Sequence, residues 1–470
     1  MESEGTIVFE KIIKFVKGVF EKMLPSEIAK KAFNIDSLMS KEMSENITLW
    51  KNIYTEQAPW VSEYVEASGT AAQIAGEFSR LTTLEMESEI TGSVRADFLN
   101  EKYKDIKAEL NEKLELANAV GGTFIKPYVS NGEIHINFIE QGKFIPIAFD
   151  GDGNMTSVIF VDDFVEAKTI YTRLEWHYLE NNNLNIINKA FKSEDSTTLG
   201  NEIPLEQIKK WADIQPYTQI QNVKQLLGGF YKVPKANHID DTSPLGVSIY
   251  SRGIKELKRL DKQVSRLDWE YDSAERKVYV DVTALNTTQE IGADGSVKVK
   301  KPTVDKRLFK SLNLNDDSFF NDYSPEIRDE AYLRGINKYK QDVEFACDLA
   351  YGTISDPVYT DKTATEIKAS KQKSYAVVSQ MQRNLEKALN DLIYAMDVLC
   401  TLYKLAPAGK YEVSYKWDDS LIVDAEVERK QDITDINLGA MSVLEYRMKW
   451  YGETEEEAQK KLPQQADVIE

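Results

Sequence analysis

The sequence predicts an α+β fold that is predominantly helical. Three observations carry this expectation: two long helical patterns between Ser324 and Lys404, a third opening at Ser243, and strand-like alternation within residues 123–191. The first pattern opens at Ser324-Pro325, with Ser as N-cap and Pro at the first helical position, where its missing N–H is not needed. Its apolar stripe is Tyr332, Ile336, Tyr339, Val343, Ala346 and Ala350, and Gly352 and Pro357 end it. The second opens at Thr363-Ala-Thr-Glu366, a capping box in which Thr and Glu each satisfy an orphan backbone donor. No Gly or Pro follows until Pro407. About 40 residues at about 1.5 Å each make a rod of roughly 60 Å, against an average helix of about 11–12 residues. Such a rod fits an architectural protein better than a compact enzyme. The third pattern opens at Ser243-Pro244 and carries the stripe Leu257, Leu260, Val264, Leu267 and Tyr271.

The remaining elements follow in chain order. Thr6–Leu24 has apolar residues at Ile12, Phe15, Val16, Val19, Phe20 and Met23, interrupted by Lys11, Lys14 and Lys17. Those lysines break any signal-peptide core, leaving an amphipathic helix that docks on protein or, alternatively, lies on a membrane surface. Residues 26–120 read as mostly helical, the last helix running from Val94 to Val120 and ending at Gly121-Gly122. In the β-rich block, Ile134, Ile136 and Phe138 alternate with Glu133, His135 and Asn137, and Leu174, Trp176 and Tyr178 alternate later. Turns are expected at Asn131-Gly132, Asp150–Gly153 and Asn181–Asn183. Residues 192–242 are polar and loop-rich. The insertion at 273–324 reads as a small α/β unit with a strand, Lys277–Val282, and a hairpin at Gly292–Gly295. The tail has a strand through Tyr411, Val413, Tyr415 and Trp417, then short helices, one capped by Ser442 and Glu445.

The chain has 470 residues, 42% hydrophobic and 29% charged, enough to bury a large core and too apolar for disorder. Two cysteines, Cys347 and Cys400, support neither a disulfide framework nor a zinc site. No run of about 18 apolar residues exists to span a membrane. The net charge is −19. A protein that grips duplex DNA tightly neutralises phosphates with Lys and Arg, and this chain has no such surplus. A channel through which DNA slides needs weak contacts instead, which acidity allows.

No catalytic or cofactor motif stands out. Asp150–Asn154 has the start of a calcium loop, but the twelfth position is Val161 where a Glu is required, so a hairpin turn is expected and no metal. His135, His177 and His238 are scattered, and no HExxH, nucleophile elbow or phosphate loop is present. Asp162-Asp163 and Asp418-Asp419 read as acids on solvated loops rather than a metal-binding pair. In the long helix, Val378, Leu385, Leu392 and Leu399 recur every seven residues, with Met381, Ala388, Ala395 and Leu402 three positions on. That seam either packs into the chain's own body and its neighbours or forms a homodimeric coiled coil.

The runs FNDYSPEIRDEAYLRGINKYKQDVEFACDLAYGTISDP and KTATEIKASKQKSYAVVSQMQRNLEKALNDLIYAMDVLCTLY resemble the portal proteins of tailed bacteriophages. The likeness is to siphophage portals of the Listeria-phage type, found in phages and prophages of Gram-positive bacteria. LWKNIYTEQAPW, VGGTFIKPYV, KVPKANHIDDTSPLGVSIYSR and EYRMKWYGE extend it over nearly the whole chain. The resemblance implies a portal fold: an N-terminal helix at 1–25, a wing at 26–242, a stem helix at 243–272 and a clip at 273–324. A second stem helix at 325–351, a tunnel loop at 352–363, a long helix at 364–404 and a crown at 405–470 complete it. It further implies a non-enzymatic, homo-oligomeric ring of about 12 copies at one capsid vertex of the virion, assembled in the bacterial cytoplasm. Double-stranded DNA would pass through it without being read. Its partners would be the terminase large subunit, a head–tail adaptor, and the major capsid and scaffold proteins, with no membrane and no cofactor. The tunnel loop residues Ser355, Asp356, Pro357, Val358, Tyr359, Thr360, Asp361 and Lys362 would meet DNA, with Lys368, Lys371 and Lys373 near the channel. The competing readings are a DNA-processing nuclease and a coiled-coil scaffold protein.

Overall fold

The computed structural model describes residues 23–275, 277–281, 288–291, 297–300, 309–312, 320–323, 325–356, 364–417 and 425–462. The helix expected over residues 1–25 lies outside these up to position 22, as do Gly292–Gly295, Pro357–Thr363 and Asp418-Asp419.

Four helices open the described chain: α1 (Pro25–Phe33), α2 (Lys41–Tyr54), α3 (Thr70–Thr83) and α4 (Val94–Val120). The last has the predicted bounds. Ser93 caps its start, accepting from the Ala96 N–H, and Gly121, at φ 103°, ends it in the left-handed region. Between α3 and α4 lies a strand that helical patterning missed, β1 (Met86–Thr91). Its partner is some 320 residues away in the chain, so local pattern carried no trace of it.

The β block is β2 (Gly122–Ser130), β3 (Glu133–Glu140), β4 (Phe144–Phe149), β5 (Met155–Glu166), β6 (Thr169–Glu180) and β7 (Asn183–Ser193). The polar stretch that follows adds β8 (Asn201–Ile203), β9 (Tyr217–Gln221) and β10 (Gly229–Lys232). One sheet has the order β4-β5-β6-β7-β8 with β9 also on β7, and a second has the order β10-β2-β3. Consecutive residues of β5 point to opposite faces. Ile159 and Val161 pack under Ile28, Ala29 and Ala32 of α1, while Phe160 joins the main core. The Phe160 ring meets Phe124 of the second sheet at 5.0 Å. The first sheet is thus covered on both faces.

Three readings of single residues resolve here. Asp150 closes the β4–β5 turn by accepting from the N–H groups of Asp152 and Asn154 and from the Asn154 amide, at 2.8–3.0 Å. Asp162 and Asp163 lie on β5, not on a loop, and face opposite ways. Asp162 accepts from Lys210 at 2.8 Å and Trp211 at 3.0 Å, Asp163 from Lys143 at 2.7 Å. Strand alternation separates them, so they are not a paired acid site. His177 is buried, 2.6 Å from Glu175, which also holds Lys126 and Arg173. Burial lowers the His177 pKa, so a neutral imidazole completes this knot of charges between the two sheets.

The segment 243–250, expected to begin a helix, forms neither helix nor strand. Residues 245–250 are all buried, Leu245, Val247, Ile249 and Tyr250 in the main core, and the Ile249 N–H donates to the Asn118 carbonyl. Its backbone lies against the end of α4: a Cβ on Gly246 would stand 2.0 Å from the Gly121 oxygen. A helix there would break both contacts. The third long helix, α5 (Ile254–Ser273), therefore starts about ten residues later than its Ser-Pro signal.

Next come β11 (Lys277–Asp281), β12 (Thr288–Ile291), β13 (Val297–Lys300), β14 (Phe309–Leu312) and β15 (Phe320–Tyr323), strands being the only regular elements among the insertion's described residues. β11 lies between β14, parallel, and β15, antiparallel with Lys277 opposite Tyr323. The insertion thus leaves and returns at one narrow base. α6 (Asp329–Cys347) follows. Pro325 is not its first residue, because the Arg328 N–H and guanidinium are turned onto Glu270. Proximity of 270 to 328, 263 to 335 and 253 to 347 makes α5 and α6 an antiparallel hairpin with the insertion at one end.

α7 (Ala364–Tyr403) is the long rod. Its seam is buried in the chain's own core through Val378, Met381, Leu385, Ala388, Leu392, Ala395 and Leu399, whereas Leu402, in the last turn, is 50% exposed. α7 packs on β10, β2 and α3. A Cβ on Gly229 of β10 would stand 1.8 Å from the Ala388 carbonyl oxygen, so only glycine allows this contact. Arg95, 2% exposed, locks the rod's end with donors to Asp397, Thr401, Ala406 and Pro407. β16 (Glu412–Trp417) pairs antiparallel with β1. α8 (Ala425–Asn437), α9 (Val443–Tyr451) and α10 (Glu455–Lys460) are the last elements of the described residues, α9 with the expected Ser442–Glu445 capping box.

Candidate functional site

The connection between α6 and α7 is the candidate site, and its described part begins with how α6 ends. The helix stops at Cys347, and Asp348 takes the left-handed conformation at φ 68°. The expected stop at Gly352 lies beyond it, and Ala350 is off the helical stripe. From Gly352 to Asp356 the chain turns back along α6, and two polar residues of that helix hold it. Glu344, with no exposed surface, accepts from the N–H groups of Gly352 at 3.3 Å, Ile354 at 2.7 Å and Ser355 at 2.9 Å, and from the Ser355 hydroxyl at 2.8 Å. Asn337, two turns earlier, accepts from the Asp356 N–H at 2.7 Å and donates to its carbonyl at 3.4 Å. Positions 337 and 344 lie on one face because seven residues make nearly two turns.

Of the predicted loop residues, Ser355 is buried and Asp356 exposed, both in this anchored root. Pro357, Val358, Tyr359, Thr360, Asp361 and Lys362 lie outside the described residues, as does the Lys368 side chain. Lys371 is exposed on α7. Lys373, 46% exposed, pairs with Asp348, donates to the Phe345 carbonyl at 3.2 Å and lies 4.7 Å from the centre of the Phe345 ring.

Asp348 also pairs at 2.8 Å with Lys235, whose side chain is 3% exposed. Lys235 spends its other donors on the carbonyls of Ile249 at 2.9 Å and Cys347 at 3.0 Å. All three N–H groups of that ammonium are therefore used. Burial would raise the Asp348 pKa, but Lys235 and then Lys373 outweigh it and hold the carboxyl below the usual range. Burial pushes the neighbouring Cys347 thiol up to about 12, so it stays protonated and packs as an apolar group.

Sequence reasoning named the loop and Lys373 but missed Glu344, Asn337, Asp348 and Lys235. The first two were visible as polar residues seven apart beside the apolar stripe. The last two carried no signal, since Lys235 reaches Asp348 from another part of the chain.

Among the described residues, no group of three His, Cys, Asp or Glu is placed to hold a metal ion. The polar groups at this site fix chain direction: they bind backbone, cap a helix end and tie one segment to the next. A helical hairpin, an insertion at its tip and a 40-residue rod beyond an anchored turn define a structural assembly protein. The family described as phage portal protein, SPP1 Gp6-like, matches residues 91–469, and the chain belongs to that family of capsid connectors for genome packaging. The comparison with curated proteins found no match. The family is structural, not enzymatic, and neither the nuclease nor the coiled-coil scaffold reading finds support in it. No helix of the described residues is long and apolar enough to cross a membrane.

Proposed function

We propose that this chain forms a ring of about 12 copies at one capsid vertex, joined by heterologous contacts that close by rotation. The hairpin of α5 and α6 is the stem, the insertion at 273–324 is the clip, and residues 352–363 form the tunnel loop. In this reading the clip receives the terminase during packaging and the head–tail adaptor afterwards, while the wing meets capsid and scaffold proteins. Double-stranded DNA passes the loop, where Ser355 to Lys362 touch its backbone without reading bases, with Lys368 and Lys371 nearby. The virion vertex is its place of action.

The observation that carries this reading is the anchorage of the loop root. Glu344 and Asn337 hold residues 352–356 along the stem hairpin, from its end away from the insertion back toward its middle. A projecting contact needs such a rigid base to keep its place against moving DNA. The ring is supported by large apolar side chains exposed on the hairpin, Trp269 at 69%, Leu333 at 47% and Phe345 at 63%, since a solvated two-helix hairpin has no use for them.

The test is a double change, Val358→Gly with Tyr359→Gly, in the assembled phage. Rings should form as in the wild type, seen as particles with a central hole by electron microscopy, while packaging or retention of DNA falls. Heads that fill and hold their genome normally would refute the loop assignment. Purified protein that stays monomeric even with scaffold protein present would count against the ring.

A further inference from the structure

The end of α6 holds the two segments that follow it by two different kinds of bond. The root at 352–356 hangs on Glu344 and Asn337 through hydrogen bonds that include a fully buried carboxylate. The start of α7 hangs on Asp348 through Lys373, whose side chain is 46% exposed. Among the described side chains of α7, residues 371–373 are exposed, Ser374 is buried, and apolar packing on the core begins at Val377 and Val378.

Asp348 occupies a left-handed cap position where glycine is the commonest residue. Glycine adopts the left-handed cap without strain, and aspartate is among the few other residues that visit it. What aspartate adds is a carboxylate that bridges two lysines in unlike settings. Lys235 is buried and fully bonded, so it is a permanent arm. Lys373 faces solvent on one side, so dissolved ions reach it.

We infer that the Lys373–Asp348 pair is a releasable latch that positions the first turns of α7 on the end of α6, opened by ionic competition, while the root at 352–356 stays fixed. Salt screens exposed pairs strongly and buried hydrogen bonds little. Lys373 is then a positioning residue within the subunit before it is anything to DNA. The consequence for DNA passage rests on the portal reading, because the first turns of α7 continue directly from the proposed tunnel loop.

The experiment is hydrogen–deuterium exchange on the full-length protein, wild type, Lys373→Gln and Lys373→Arg, at low and high sodium chloride. In wild type at high salt, and in Lys373→Gln at any salt, amides of 368–377 should exchange about 2–5-fold faster, the range expected for an exposed pair. Lys373→Arg should keep wild-type protection at low salt, and residues 352–356 should not change in any sample. Unaltered exchange over 368–377 in Lys373→Gln would overturn the latch. An equal rise over 352–356 would also overturn it, since that marks general loosening. No DNA or capsid is involved, so the outcome is independent of whether the loop lines a channel.

Discussion

Glu344 and Ser355, eleven residues apart in the chain, are joined by a 2.8 Å hydrogen bond from hydroxyl to carboxylate, both residues being buried. The same carboxylate takes three backbone N–H groups, so one side chain substitutes for a turn of helix in satisfying the chain after α6. Glu344→Gln keeps the shape but turns an amide NH₂ toward donors. Stability should fall by about 1–3 kcal/mol, read as a lower denaturant midpoint, with faster exchange at 352–356. An unchanged midpoint would mean the network relaxes around the amide.

The neck of the insertion has an acid limit. Hydrogen bonds from the Arg328 side chain hold the Glu270 carboxyl down at about 2. The folded value lies below the ordinary one near about 4.3. The pair therefore contributes fully above that pH and is lost as pH falls toward 2. Pepsin should cut the 270–328 neck slowly at pH about 3.5 and faster near pH about 2, while Arg328→Gln should be cut fast at both. Equal cutting of the two proteins at the higher pH would contradict this.

Gly229→Ala places a methyl 1.8 Å from the Ala388 carbonyl oxygen, a backbone atom that cannot rotate away. Strand or rod must shift, at a cost of about 1–3 kcal/mol or more. The control is Gly151→Ala, where nothing lies within 4 Å and the thermal midpoint should hold. Similar midpoints for both variants would show that the rod is not seated as described.

Shortening Gly292–Gly295 tests the clip assignment. The insertion closes at its own base, β11 against β15, so the hairpin of α5 and α6 should fold and, on the proposed reading, rings should assemble. Binding of terminase or adaptor should weaken in a pull-down. Loss of all assembly would make the segment part of the core.

The sequence by itself determined the long rod, the bounds of α4, the hairpin at Asp150 and the cap at Ser442, because each follows from local rules. An apolar period, a left-handed glycine or a hydroxyl three residues before a carboxylate acts within a few residues. It also determined the family, through the order of its segments. The tertiary structure decided what depends on distant partners. β1 exists because β16 completes it; α5 starts late because Gly246 must lie on Gly121, and Pro325 stays outside α6 because Arg328 turns to Glu270. The anchorage by Lys235 and Asp348 belongs to the same class. A buried charge is stable only when folding brings its counter-charge from elsewhere, and no window along the chain contains both.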